Sequence, residues 1–155
     1  MSVALGIDLG ERRIGVAIAD EGPLSVRPLT TLARGADVVA DAAALRPLIA
    51  RHAVTDVVVG LPLEMAGQEG PQAGITRAWV EGLAAILGDG LRFRFQDERL
   101  SSHLAEQRLG PMPRGRSGGP PTRHQRDTYR ARVDREAAAI ILRDALDHHA
   151  TETRR

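Results

Sequence analysis

The stretch VALGIDLGERRIGVAIAD, residues 3–20, decides the fold. In both of its halves large and small residues alternate with the period of a strand. Val3, Leu5, Ile7 and Leu9 point one way, and Ala4, Gly6 and Asp8 the other. Ile14, Val16 and Ile18 repeat the pattern against Gly15, Ala17 and Ala19. The three residues Gly10-Glu11-Arg12 are few enough to join the two strands as a hairpin. Asp8 is the anomaly in this stretch. A carboxylate in a strongly apolar strand is costly to bury unless it is paired or binds a metal. Its face neighbours Ala4, Gly6 and Gly10 would let a ligand or a backbone come close. The competing reading is an acid at a strand end that satisfies turn amides.

Outward from this hairpin, strands alternate with helices. A third short strand is expected near Ser25–Leu29, with Pro28 placing it at an edge. Val38, Ala42, Leu45 and Ile49 have helical spacing over 37–52, Asp37 can cap the start, and Pro47 would kink the helix or lie near the start of a shorter one. Residues 56–60, DVVVG, read as a strand buried on both faces. A helix over 71–87 carries Ile75, Trp79, Leu83, Ile86 and Leu87 as its stripe, with Arg77 and Glu81 as an exposed pair. Leu91–Gln96 alternates as a strand, and a short helix with a serine cap is expected at 102–109. Residues 110–121 hold eight Gly or Pro in twelve, so 110–132 is expected to be a flexible basic loop. The last helix is expected from Val133 to His148, and 150–155 as a frayed tail. The fold class is therefore α/β, a mixed sheet that opens with an antiparallel hairpin or meander and is flanked by helices.

The length of 155 residues suits one domain spanning 1–155. With no cysteine there is no disulfide, thiolate zinc site or cysteine nucleophile. Phe93, Phe95, Trp79 and Tyr129 are the whole aromatic set, which argues against base-stacking platforms. All 21 basic residues are arginine, so no lysine nucleophile and no P-loop lysine exists here. No apolar run approaches the ~18 residues of a membrane span, and no leader pattern opens the chain. A soluble cytoplasmic protein without a membrane partner is expected.

The net charge of +1 hides an asymmetry. Residues 1–107 carry ten arginines against fourteen acids, whereas residues 108–132 carry seven arginines against Asp127 alone. A local positive segment attracts polyanions even on a neutral chain. Acids that could work beside it are few. Asp97 and Glu98 follow the strand 91–96 directly, where α/β proteins place their sites. By parity Glu98 shares a face with Arg92 and Arg94, and Asp97 with the phenylalanines, but parity fails at a strand end and cannot choose between them. Asp134 opens the expected last helix, either as an ordinary N-cap or as a third site acid, with Glu136 a weaker rival in the same turn. Three carboxylates from separate elements form a hard-oxygen site suited to Mg²⁺ or Mn²⁺ rather than zinc. Such ions support phosphodiester hydrolysis. Arg114, Arg116, Arg123, Arg126, Arg130 and Arg132 would then hold the phosphate backbone beside the acids. Tyr129 would either stack on an unpaired base or pack.

The runs GIDLGERRIGVAIAD, VVVGLPLEMAGQEGPQA, DERLSSHLAE and VDREAAAIIL resemble, in order and spacing, the YqgF/RuvX family. The resemblance implies an RNase H-like fold and a metal-dependent nuclease, described both as a Holliday junction resolvase and as the nuclease maturing the 5′ end of pre-16S ribosomal RNA. Motif by motif, it implies Asp8, Glu98 and Asp134 as the catalytic and metal-binding acids, and so prefers Glu98 to Asp97. It also places Arg13 as a substrate or structural contact. The expected partners are structured ribosomal RNA precursor or branched DNA, with ribosomal particles besides, for a monomer or weak homodimer. The family loop GLP-x-N-M-D-G is altered, since Glu64 and Ala66 replace its Asn and Asp. The segment before Asp134 is longer and richer in Gly, Pro and Arg than in the family pattern. GIDLG also resembles the phosphate-binding opening of actin-like ATPases and sugar kinases, but those close two lobes over a nucleotide and this length supplies one. A non-catalytic nucleic-acid-binding module is the remaining alternative.

Overall fold

The computed structural model describes residues 2–98 and 100–153, the last five as backbone. Five strands form one sheet in the order β3-β2-β1-β4-β5. The strands β1 (Val3–Leu9), β2 (Arg13–Ala19) and β3 (Arg27–Ala33) form an antiparallel meander. β4 (Val54–Leu61) runs parallel to β1, and β5 (Arg92–Asp97) parallel to β4. The helices are α1 (Val38–His52), α2 (Pro71–Leu87), α3 (Ser101–Leu109) and α4 (Arg123–Thr153). β3 starts later than its sequence signal, because Pro23–Ser25 forms a short 3-10 turn first. Pro28 lies in β3 beside a register shift, at the sheet edge where a missing N–H is tolerated.

The alternation of the opening strands decides what lies on each face. Leu5, Ile7, Ile14, Val16, Ile18, Val57 and Val59 pack against Ala42, Leu45, Trp79, Val80 and Leu83 of α1 and α2. On the other face Ala4, Ala17, Ala19 and Val58 pack against Ala138, Ile141, Leu142 and Ala145 of α4. Small residues on that face let the helix backbone settle onto the sheet. A methyl group on Gly6 would lie 2.6 Å from Leu142 Cβ and 2.7 Å from the Ala138 carbonyl oxygen, and one on Gly15 would collide with the Asp134 carbonyl. Truncating a fully buried leucine such as Leu142 costs about 2–5 kcal/mol.

Asp37 caps α1 through Ala40 N–H at 2.9 Å, and the helix passes through Pro47 without ending. Ile75 departs from its expected place in the α2 stripe and is exposed. Arg77 pairs with Glu69 rather than with Glu81, through Nε at 2.6 Å and a second nitrogen at 3.0 Å, and its guanidinium lies 4.8 Å over the Phe95 ring. No serine side chain caps α3, since its N-cap position is Leu100 in the left-handed region at φ 69°.

The largest departure concerns α4. It begins at Arg123, so the second half of the expected 110–132 loop is helix. Thr122 and Gln125 form a reciprocal cap: Thr122 N–H donates to Gln125 Oε1 at 2.8 Å, and Gln125 N–H to Thr122 Oγ1 at 3.1 Å. Asp134 therefore lies well inside the helix and is no N-cap. At the other end α4 continues to Thr153, which corrects the frayed tail for 150–153, while 154–155 lie outside the described residues. Tyr129 packs rather than stacks, since it is buried with Ala105, Val133, Ala137 and Ile140 and its hydroxyl donates to the Gly110 carbonyl at 2.7 Å. This cluster joins α3 to the first half of α4. Among the described residues no helix is long and apolar enough to cross a membrane.

Candidate active site

Asp8 projects from β1 onto the α4 face, and Glu98 reaches it from the end of β5. The backbone fixes Glu98 from two sides. Its N–H donates to the Leu61 carbonyl at 3.2 Å, and its own carbonyl accepts from Ser101 N–H at 3.1 Å and Ser101 Oγ at 3.0 Å. The side chain then turns toward Gly60, where a methyl group would lie 2.5 Å from Glu98 Oε2 and 2.6 Å from Ile141 Cδ1. Only a glycine in β4 leaves room for this carboxylate. The carboxyl groups of Glu98 and Asp8 lie close enough for a proton between them to be shared. Glu98 Oε2 is buried without a hydrogen-bond partner, the one such side-chain atom among the described residues.

Two carboxyl groups held this way cannot both carry a full charge without a counter-ion. Burial pushes Glu98 up to about 9, with the Asp8 charge, their hydrogen bond and the Asp97 charge adding to it. Burial also raises Asp8 to about 6; the hydrogen bond from Glu98 opposes the rise and the Asp134 charge adds to it. Near neutral pH the pair therefore keeps one proton between its two carboxyl groups.

Asp134 approaches from α4, positioned by the close seat of its backbone on Gly15. Its Oδ2 accepts from Arg13 Nε at 2.6 Å, an ion pair that ties the start of β2 to α4. The structure thus brings Asp8, Glu98, Asp134 and Arg13 to one end of the sheet. Asp97, the other candidate at this strand end, is exposed, and its charge bears on Glu98 as a neighbour. As they stand, no three carboxylate or imidazole groups among the described residues close on one metal position. The fit to a hard divalent cation rests on the orphaned Oε2 and the shared proton, both of which a cation would relieve with all-oxygen ligands.

The arginines fall into two sets. Arg114 and Arg116 are exposed in the loop, Arg114 donating to the Gly118 carbonyl at 3.2 Å. Arg123, Arg126, Arg130 and Arg132 are exposed on α4. At about 100° per residue, Arg123, Arg126 and Arg130 share one helix face with Asp134, whereas Arg132 points away from it. The positive N-terminus of α4 adds to the same field. Glu64, in the altered loop, accepts from Gln68 Nε2 at 3.1 Å, and its N–H donates to the Gln68 carbonyl at 2.8 Å, so it shapes the loop itself.

A family model described as RuvX, Holliday junction resolvase, matches residues 2–148. The chain belongs to the RuvX family. A relative from Anaeromyxobacter dehalogenans, named "Putative pre-16S rRNA nuclease", is 44% identical over 146 residues, which is 94% of this chain and 97% of the relative. One from Chloroflexus aggregans with the same name is 43% identical over 143 residues, 92% of each chain. T. thermophilus RuvC in complex with a Holliday junction substrate superposes with a TM-score of 0.53 at 15% identity, covering 96% of both chains. That likeness establishes the RNase H-like fold. The family thus carries both nuclease descriptions, and the opening strands supply its scaffold.

Sequence reasoning missed two features of this RuvX-family chain, one in the site and one on the opposite face. Gly60, read as the end of a strand, is the seat of Glu98. Asp41 is fully buried and holds the meander to α1 and α2, accepting from Trp79 Nε1 at 3.0 Å, Arg34 Nε at 3.1 Å and Gly35 N–H at 2.7 Å. Its signal was available, since Asp41 falls inside the apolar stripe of Val38, Ala42 and Leu45.

Proposed function

We propose that this chain is a divalent-metal-dependent nuclease that hydrolyses phosphodiester bonds in structured RNA, acting in the cytoplasm at the 5′ end of the pre-16S ribosomal RNA. The observation that carries the reading is the Asp8–Glu98 pair, Asp8 buried and Glu98 half-buried with its buried Oε2 unpartnered, at the foot of an arginine-lined helix face. Asp8 and Glu98 would hold Mg²⁺ or Mn²⁺, with Asp134 as the third acid. Such a cation, when bound, neutralises the acid pair and supplies Lewis acidity toward phosphate and water. The chain's own residues do the rest. The Asp8–Glu98 pair gives up its shared proton as it takes up positive charge. Arg13 has one nitrogen on Asp134, and its remaining N–H groups are donors for a phosphate oxygen. Arg123, Arg126 and Arg130 lead the backbone along α4 for about 16 Å to Asp134. Arg114 and Arg116 extend the contact to flanking phosphates, whereas Arg132 faces away from this path.

The test is cleavage of pre-16S ribosomal RNA and, separately, of a four-way DNA junction, each with Mg²⁺, Mn²⁺ or chelator. The expected result is trimming of the RNA that is lost with chelator and in Asp8→Asn, while RNA binding persists. Cleavage of the junction alone would transfer the mechanism to branched DNA, the activity in the RuvX description. Binding of either substrate without metal-dependent turnover would leave a non-catalytic module.

A further inference from the structure

The end of the α4 face opposite the acids holds a cavity of about 530 Å³ that the nuclease reading does not use. Its floor follows from strand register. Ala19 of β2 pairs with Ala4 of β1, Ala4 with Asp56 of β4, and Asp56 with Arg92 of β5, one row across four strands. The two alanines leave space that larger side chains would fill, and Leu146 of α4 closes one side. Asp56 and Arg92 cancel each other through two contacts, Nε to Oδ1 at 3.0 Å and a second nitrogen to Oδ2 at 3.2 Å. Thr55 Oγ1 donates to the same Oδ2 at 2.7 Å, so this carboxylate is fully engaged.

Arg94 is different. It lies on the same face of β5, one row further along, opposite Val58. It is half-buried in the cavity wall, and among the described residues its guanidinium makes no hydrogen bond or ion pair. A guanidinium on a half-buried side chain beside apolar surface, with no acceptor of its own, is matched by an anion. Its planar fork favours the oxygens of a phosphate. Ala4 and Ala19 are almost wholly covered at the bottom of the cavity, and half-buried Leu146 offers the apolar surface beside it. The volume lies within the range of about 300–1,000 Å³ typical of small-molecule sites.

We propose that this cavity binds a nucleoside monophosphate unit, with the phosphate on Arg94 and the base against Leu146. The site is separate from the catalytic acids. Ala4 and Asp8 stand four residues apart on β1, about 13 Å, and α4 seals the sheet between them through Leu142 and Ala138 on Gly6. The nucleotide is either free or the terminal residue of an RNA strand, and both present the same chemistry. The inference stands whether or not the acid pair cleaves RNA.

Calorimetric titration of the full chain in chelator tests it, with adenosine monophosphate, adenosine, inorganic phosphate and a 5′-phosphorylated tetranucleotide as probes. Adenosine monophosphate is expected to bind, adenosine and phosphate each at least tenfold more weakly. Arg94→Gln should weaken the monophosphate at least tenfold, while Asp8→Asn leaves it unchanged. Leu146→Ala, which removes the apolar wall and keeps the charge, should also weaken binding at least tenfold. Equal competition by the tetranucleotide assigns the RNA terminus, and failure to compete assigns the free nucleotide. Equal affinity for adenosine, no effect of Arg94→Gln in a variant with wild-type circular dichroism, or loss in Asp8→Asn would overturn the proposal.

Discussion

Replacing Glu98 by glutamine should make the metal-free protein more stable, although it removes a residue of the proposed active site. Glu98 is raised from 4.5 to about 9 by burial and by the Asp8 charge. A carboxyl group whose folded value lies above its unfolded value stabilises the fold fully only below the unfolded value. Stability is lost as pH rises from 4.5 toward about 9, because the folded state must keep a proton that the unfolded chain releases. At pH 7 the group sits about 2.5 units above its unfolded value, and at 1.36 kcal/mol per unit the penalty is about 3 kcal/mol. A glutamine carries its donor at all pH values, can still donate to Asp8, and escapes the penalty. For a chain of this size about 3 kcal/mol corresponds to roughly 6–12 °C in Tm. The assay is thermal unfolding of both proteins in chelator at pH 4.5 and pH 7.5. The expected result is a higher Tm for Glu98→Gln at pH 7.5 and near coincidence at pH 4.5. Added Mn²⁺ should then stabilise the wild type far more than the variant. An unchanged or lower Tm for the variant at pH 7.5 would refute the claim that this pair is held under electrostatic strain.

Other perturbations read different parts of the site. Gly60→Ala places a methyl group 2.5 Å from Glu98 Oε2; it should lower kcat about a hundredfold while costing only about 1–3 kcal/mol of stability, and unchanged kcat would mean that the seat of Glu98 does not matter. Arg130→Gln, on the helix face of Asp134, should reduce the salt dependence of RNA binding by about one counterion without changing circular dichroism. An identical salt slope would remove α4 from the RNA path. Arg13→Gln breaks the 2.6 Å ion pair with Asp134 and should cost about 1.5–3 kcal/mol in urea unfolding, whereas a change below about 0.5 kcal/mol is what a surface substitution gives.

The fold was legible where side-chain period and burial agree. In β1 and β2 the alternation reports both faces at once, because one face must take the aliphatic core and the other the backbone of α4. At the end of β5 the same period could not choose between Asp97 and Glu98, because alternation stops where the strand does. What stayed hidden was long-range. The fit of Glu98 depends on Gly60, far away in sequence, and a glycine does not reveal which side chain occupies its vacant volume. The start of α4 was hidden for another reason. Gly and Pro in 110–121 drew attention to a loop, and the capping pattern Thr122-x-x-Gln125 was overlooked beside them. That shift changes the chemistry, since it turns half of a basic loop into a rigid arginine face aligned with Asp134. Among the acids, Asp8 could be singled out from its apolar strand, but its partner was ambiguous until the strand end was built.

The central claim is that Asp8 and Glu98 trade a shared proton for a divalent cation. Calorimetric titration of Mn²⁺ into the metal-free protein at pH 7.5, in two buffers of different ionisation enthalpy, counts the protons released per cation. The account predicts about one proton released by the wild type and none by Glu98→Gln. Cation binding with no proton release in the wild type, or the same release in the variant, would contradict it.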